Sequence, residues 1–238
     1  MFARVPFAQP DLSPHLLNGP YHPVKRRPTP KTVVSDCMAD LARIYEDDVN
    51  LCLIRRPLPE DIEVFAHTAL DANIRLETSR PVDPRCFDFS LIWPEAAGIP
   101  GYQSWTADIA LLAGAFCELF GRREAGLRLR TLDKAMCPRF HVDSVAARMI
   151  CSYGGSGTEW LPENALDRSK LGMGSGGQPD AQSGLMTDPA AIKQMPVFAV
   201  GLMKGEHWEG NEGRGLAHRS PMPADAQPRR LLLTLDML

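Results

Sequence analysis

The apolar residues change period at Gly126, and that change limits the fold more than any other feature of the chain. Ahead of it, Ile109, Leu112, Ala113, Phe116 and Phe120 recur at spacings of three and four, which makes one face of an amphipathic helix over 104–120. Beyond it, residues 127–132 read Leu-Arg-Leu-Arg-Thr-Leu, the strict alternation of a half-buried strand. Further short strands are expected at 139–143, 148–153, 197–203, 215–218 and 229–235, separated by glycine and proline turns. Many short strands without a helix between them favour a small barrel or sandwich over a parallel α/β sheet. Alternate residues of such a barrel point inward, and its open mouth has room for a metal and one small cosubstrate.

The first half reads differently. Prolines at 6, 10, 14, 20, 23, 28 and 30 exclude regular elements, so residues 1–34 are expected as an extended arm ahead of a single domain over 35–238. Ser35 and Asp36 are placed to cap a helix reaching about residue 46, Val49–Ile54 reads as a strand, and Pro59 suits the start of a helix over 60–70. Prolines 81, 84, 94 and 100 leave 71–104 without a clear assignment. Asp108 is read as a carboxylate near a helix start, favoured there by the dipole rather than by catalysis. Residues 163–195 are rich in Gly, Ser, Asp and Gln and are expected as a flexible insertion, either a plain surface segment or a lid. No Gly-Lys-Ser/Thr follows the glycines, so the insertion is not a phosphate loop.

The chemistry concentrates in the strand-rich half. In His141-Val142-Asp143 the two polar side chains stand two residues apart on an extended segment and therefore face the same way. A His-x-Asp pair alone is a weak signal, but His218 follows just ahead of a proline-rich turn and a last apolar strand. Two imidazoles and one carboxylate are the facial ligand set of a mononuclear iron site, with the opposite face open. Arg229 and Arg230 come next, and a guanidinium grips a carboxylate with two parallel hydrogen bonds. The two arginines must face opposite ways on a strand; Pro228 makes Arg229 its first residue and leaves Arg230 as the first position inside. His207, with Arg219 as the clamp, is an alternative to His218. His15 and His22 fall in the proline-rich arm, and His67 lies on an expected helix, where structural roles are commoner than ligation. Trp160, Trp208 and Tyr153 are expected to line the same region, the Tyr153 hydroxyl donating to a bound carboxylate.

Composition removes several alternatives. With 26 basic and 29 acidic side chains the net charge is −3, which gives no electrostatic reason to expect nucleic acid. The Lys25-Arg26-Arg27 run is read as solvated. No apolar leader opens the chain and the longest apolar run, 109–117, is too short to cross a bilayer, so a cytoplasmic protein without a membrane partner is expected. The six cysteines show no Cys-x-x-Cys spacing and are expected as reduced core residues; Cys137 and Cys151 flank the His-x-Asp pair, where a softer metal would recruit them.

Residues 137–161 (CPRFHVDSVAARMICSYGGSGTEWL) and 204–236 (KGEHWEGNEGRGLAHRSPMPADAQPRRLLLTLD) resemble a bacterial family, the domain of unknown function 1826, and the resemblance extends back to about residue 35. More distantly, the same blocks are similar to the double-stranded β-helix oxygenases that use iron and 2-oxoglutarate. Those proteins carry a His-x-Asp, a distal His and an Arg or Lys about ten residues later; some carry a glycine-rich turn like that at 154–158. The resemblance implies an α+β fold, a jelly-roll-like double-stranded β-helix barrel with the N-terminal helices packed on it. It also implies Fe(II) on His141, Asp143 and His218, and 2-oxoglutarate as a small-molecule cosubstrate held by Arg230 or Arg229, with Tyr153 beside it. A non-catalytic module holding a divalent metal such as zinc on the same barrel is the alternative.

Overall fold

The computed structural model describes residues 28–221 and 229–238, so most of the expected arm, with His15 and His22, lies outside the described residues. Along the chain run β1 (Lys31–Ser35), β2 (Val49–Ile54), α1 (Glu60–Asp71), β3 (Glu77–Val82), α2 (Tyr102–Leu119), β4 (Ala125–Leu132), β5 (Ala147–Gly154), β6 (Glu159–Trp160), β7 (Lys193–Gln194), β8 (Val200–Lys204), β9 (His218–Arg219) and β10 (Arg230–Met237). Seven of the strands form one sheet in the order β1-β2-β8-β5-β10-β4-β3, and β7-β6-β9 form a second. Only the β1–β2 pair is parallel among these ladders. The fold is therefore α+β and rich in sheet, and among the described residues no ladder closes the two sheets into a barrel.

Strand parity divides the large sheet into two faces. Leu127 and Leu129 of β4, Met149, Cys151 and Tyr153 of β5, and Leu231, Leu233 and Leu235 of β10 join one core with α1 and α2. Phe65 of α1 stacks on Trp105 of α2 with ring centroids 4.7 Å apart, and both rings are fully buried. Each such aromatic contributes about 1.5–3 kcal/mol by leaving water. On the opposite face Leu51, Leu53, Ile150, Met203 and Leu232 pack under Trp160 of the small sheet. That apolar layer covers only part of the face, and the remainder carries the polar residues that build the site.

Several elements differ from the sequence reading for identifiable reasons. Residues 31–34, placed by sequence in the arm, belong with Ser35 to β1, the edge strand of the large sheet. The first helix is a 3-10 helix, Met38–Tyr45; the Ser35 hydroxyl accepts from Cys37 N–H and donates to Asp40 instead of capping it. β3 lies within the unassigned 71–104 stretch and tolerates Pro81 because it is an outer strand. Residues 139–143 form only an isolated bridge at His141. Val200–Lys204 is shorter than the expected 197–203 strand because Phe198 turns the chain with φ 67°.

Asp108 is not near the helix start. It sits seven residues into α2, partly buried, where Arg56 binds it through two hydrogen bonds of 2.6 and 3.1 Å and the Tyr153 hydroxyl donates a third at 2.7 Å. The 163–195 stretch, expected as an insertion, folds into short 3-10 turns whose Leu166 and Leu185 share a small core with Phe140, Leu161 and Ala217. All six cysteines are free thiols. Among the described residues no helix is long and apolar enough to cross a membrane.

Candidate metal centre

His141 and His218 face each other across an antiparallel bridge, each N–H donating to the other's carbonyl at 3.0 Å. Side chains of such a pair emerge on the same side, and the two imidazole rings lie with centroids 4.6 Å apart. Asp143, two residues past His141, points to the same place. His218 and Asp143 are buried while His141 is one third exposed at the rim. One donor atom from each of the three residues falls within 4.8 Å of the others.

The ring orientations define the chemistry. His141 Nδ1 lies 3.0 Å from the Arg139 carbonyl, and His218 Nδ1 lies 3.1 Å from the Leu216 carbonyl. A carbonyl only accepts, so each Nδ1 carries the hydrogen, and each Nε2 of a neutral ring turns a lone pair inward. Those lone pairs meet the Asp143 carboxylate, with His218 Nε2 3.2 Å from Oδ2 and His141 Nε2 3.6 Å from Oδ1. Three electron-pair donors converging on one point repel one another unless a cation, either a proton or a metal ion, lies among them. The electrostatics agree. Burial alone would raise the Asp143 carboxyl, but the two adjoining imidazoles and the Arg148 charge hold it far below the ordinary carboxylate range, and the same Asp143 contact raises His141.

The residues fit a divalent ion. Two donors bound at ~2.1 Å stand ~3.0 Å apart at a right angle and ~3.4 Å apart at the tetrahedral angle; His218 Nε2 and His141 Nε2 lie 3.2 and 3.6 Å from the two different oxygens of Asp143, and one donor from each residue lies within 4.8 Å of the others. Asp143 Oδ2 is buried with no hydrogen-bond donor directed at it. Arg148 NH1 approaches it to 2.6 Å off the hydrogen-bonding line, while Arg148 Nε and NH2 hold Asp236 at 2.6 and 3.1 Å. Carbonyl acceptors on both imidazoles and a cation behind the carboxylate are the outer contacts that orient metal ligands.

The surrounding chain fixes this geometry from several directions. Gly205 passes so close to the Asp143 loop that a Cβ would stand 2.1 Å from the Val145 carbonyl, and Glu206 N–H donates to the Asp143 carbonyl at 2.8 Å. Asp180, from the 163–195 stretch, accepts from Phe140 N–H at 2.8 Å and from Arg219 at 3.2 Å, so one carboxylate ties both ligand-bearing segments together. A cavity of about 430 Å³ opens beside the three ligands, with Ile150, Thr158, Leu232 and Thr234 in its wall.

The two candidate clamps separate as strand parity requires. Arg229, the residue ahead of β10, is half-buried and pairs with Asp133 at 2.5 Å, with NH1 buried and without an acceptor. Arg230 is buried on the face that also carries Leu232 and Thr234, and no carboxylate pairs with it among the described residues. Its NH2 donates to Ser152 Oγ and Thr158 Oγ1, both at 3.2 Å, while Nε is buried without an acceptor. Burial lowers its pKa to about 10, against the charge of Glu159, which opposes the fall. Gly155 makes room for this arginine: at φ +74° a Cβ would meet the Arg229 carbonyl at 2.5 Å and Arg230 Cγ at 2.9 Å.

Other expected site residues are not at the centre. Tyr153 follows Ser152 on β5 and so projects to the helix face, where it is buried against Trp105 and bound to Asp108; it cannot reach a ligand beside His218. Trp208 packs on Tyr45 and Phe120, with Lys204 over its ring, whereas Trp160, on β6 of the small sheet, does pack with Ile150 and Leu232 of the site face. His207 and His67 are exposed and take no part in the cluster. Cys137 lines the cavity, and Cys151 lies on the helix face, its thiol pushed up to about 12 by burial. Sequence reasoning missed Arg148, Ser152 and Thr158. Arg148 and Ser152 share the parity of Ile150 on β5, a pattern visible once the strand is placed.

The fold has loose likenesses among solved structures. A rice dioxygenase for auxin oxidation aligns at 13% identity and TM-score 0.44, covering 89% of this chain and 83% of that one. A Pseudomonas putida prolyl-4-hydroxylase aligns at 10% identity and TM-score 0.43, covering 85% and 100%. A full-length Neurospora crassa protein, solved in complex with alpha-KG, aligns at 14% and 0.42, covering 83% and 77%. Superpositions this loose leave the functional reading to the site itself. Curated proteins give no significant match. The family profile of a protein of unknown function, DUF1826, matches residues 35–236, and the chain belongs to that family.

Proposed function

We propose that the protein is a non-haem Fe(II)- and 2-oxoglutarate-dependent oxygenase built on an open form of the double-stranded β-helix. The observation that supports this most directly is the pairing of two features over one face of the large sheet: three convergent metal donors from the 141–143 segment and β9, and a buried arginine of β10 without a carboxylate. His141, Asp143 and His218 would hold the ion through Nε2, a carboxylate oxygen and Nε2. Both imidazoles stay in the ligating tautomer because the Arg139 and Leu216 carbonyls accept the Nδ1 hydrogens. Arg230 would receive the distal carboxylate of 2-oxoglutarate, with Ser152 and Thr158 holding the guanidinium in place. Ile150 and Leu232 present apolar wall that keeps water from the reacting groups. When bound, iron and 2-oxoglutarate supply the oxidising power, drawn from dioxygen, to attack a substrate C–H bond.

An anaerobic titration tests the assignment. Fe(II) followed by 2-oxoglutarate should give one equivalent of bound metal and then a weak visible charge-transfer band. Admitting oxygen with a substrate should convert 2-oxoglutarate to succinate and carbon dioxide. His141→Ala, Asp143→Ala and His218→Ala should each lose stoichiometric iron. Full iron affinity in all three would overturn the site, and tight metal binding without any 2-oxoglutarate binding would make the protein a metal-holding module.

A further inference from the structure

The wall of the metal cavity carries four arginines, Arg128, Arg130, Arg148 and Arg219, against a single carboxylate, Asp143. Three of them are neutralised by neighbours. Arg148 and Arg128 both bind Asp236, and Arg219 binds Glu159 at 2.7 Å and Asp180 at 3.2 Å. Arg130 differs. Its NH1 points at the Met136 thioether, 2.9 Å away, and its Nε is buried without an acceptor. Its nearest carboxylate, Glu77, stands 3.6 Å from NH2, is more than half exposed, and also lies 3.5 Å from Arg75. A neutral thioether is a weak acceptor for a guanidinium, which is built for planar, two-pronged contact with an anion.

Position adds a second argument. Arg130 lies opposite Leu232 in the β4–β10 ladder, on the face that holds the metal donors. Arg130 and Met136 also line an adjoining cavity of about 350 Å³, where the cations Arg75, Arg130 and Lys134 outnumber the carboxylates Glu77 and Asp133, the latter paired with Arg229. A molecule reaching from the metal donors into the second cavity would pass this guanidinium.

We propose that the substrate is an anion and that Arg130 is its docking cation, taking a carboxylate or phosphate group while the remainder of the molecule extends toward the metal donors. The proposal rests on the oxygenase reading for what happens at the metal, but not for the anion contact itself. It assigns cosubstrate and substrate to different arginines, Arg230 inside and Arg130 at the rim.

The test uses full-length protein loaded with Mn(II) and saturated with 2-oxoglutarate in the absence of turnover, titrated separately with inorganic phosphate and with acetate by ligand-observed NMR. At least one of the two should bind. Arg130→Gln should weaken that binding at least tenfold and leave manganese and 2-oxoglutarate affinities within twofold, and Glu77→Gln, which removes the competing carboxylate, should tighten it severalfold. Phosphate alone would mark a phosphorylated substrate and acetate alone a carboxylic acid. Failure of both anions to bind, or equal anion affinity in all three proteins, would overturn the proposal. So would a tenfold loss of 2-oxoglutarate affinity in Arg130→Gln, which would make Arg130 the cosubstrate's partner. If the unaltered protein bound neither metal nor 2-oxoglutarate, the oxygenase reading would fail separately, and the same titration on metal-free protein would still decide whether Arg130 is an anion site.

Discussion

Replacing Arg230 by methionine should move stability and cosubstrate binding in opposite directions. In the free protein the guanidinium is buried on two neutral hydroxyls with Nε unsatisfied. The fall of its pKa to about 10 from the ordinary guanidinium range corresponds to ~3 kcal/mol against the charged form. The two hydrogen bonds to Ser152 and Thr158 return ~1 kcal/mol each. Methionine has similar length and no charge, so Arg230→Met should leave the metal-loaded protein unchanged or more stable by up to ~2 kcal/mol, as when buried ions are exchanged for apolar side chains. With 2-oxoglutarate present the arginine gains its anion, and losing that contact should cost ~2–5 kcal/mol, at least a thirtyfold weaker dissociation constant. Chemical denaturation without cosubstrate and calorimetric titration with it read the two effects on the same samples. A variant more than ~2 kcal/mol less stable, with cosubstrate affinity intact, would refute the reasoning and make Arg230 a structural residue.

Tyr153→Phe should cost ~1–2 kcal/mol by removing the donor to Asp108, with 2-oxoglutarate affinity unchanged in the same titration. Asp108→Asn should cost ~2–4 kcal/mol, because it leaves the partly buried Arg56 without its carboxylate, and iron affinity should not follow the lowered denaturation midpoint. Arg148→Met removes the cation behind Asp143 and should weaken metal binding ~10- to 100-fold in a competition assay. Asp180→Asn keeps the side chain's shape but weakens its contacts with Phe140 and Arg219; the metal-loaded protein should lose ~1.5–3 kcal/mol on denaturation.

How much of this is legible in the sequence depends on whether a local rule decides the outcome. The helix over 104–120 and the alternation of 127–132 appear as α2 and β4, because periods of 3.6 and 2 are properties of the chain itself. The same rule brings His141 and Asp143 to one side and turns Arg229 away from Arg230. Tyr153 is a residue for which the rule is available and a hydroxyl misleads. Its neighbour Ser152 faces the site, so Tyr153 has to face the helices, whatever its donor could offer a carboxylate. β3 is hidden because an outer strand of mostly exposed residues, Glu-Thr-Ser-Arg-Pro-Val, carries no apolar alternation. Asp108 escapes for a different reason, since its partner Arg56 lies 52 residues away and no local pattern joins them. The polar lining of the site combines both situations. Parity selects Arg148, Ser152 and Arg230 for one face, but only the tertiary fold determines which of them meets a carboxylate. The arginines that remain without a full partner, Arg230 inside and Arg130 at the rim, are therefore the residues to which ligands are assigned, and that assignment becomes possible only once the charges around them can be paired off.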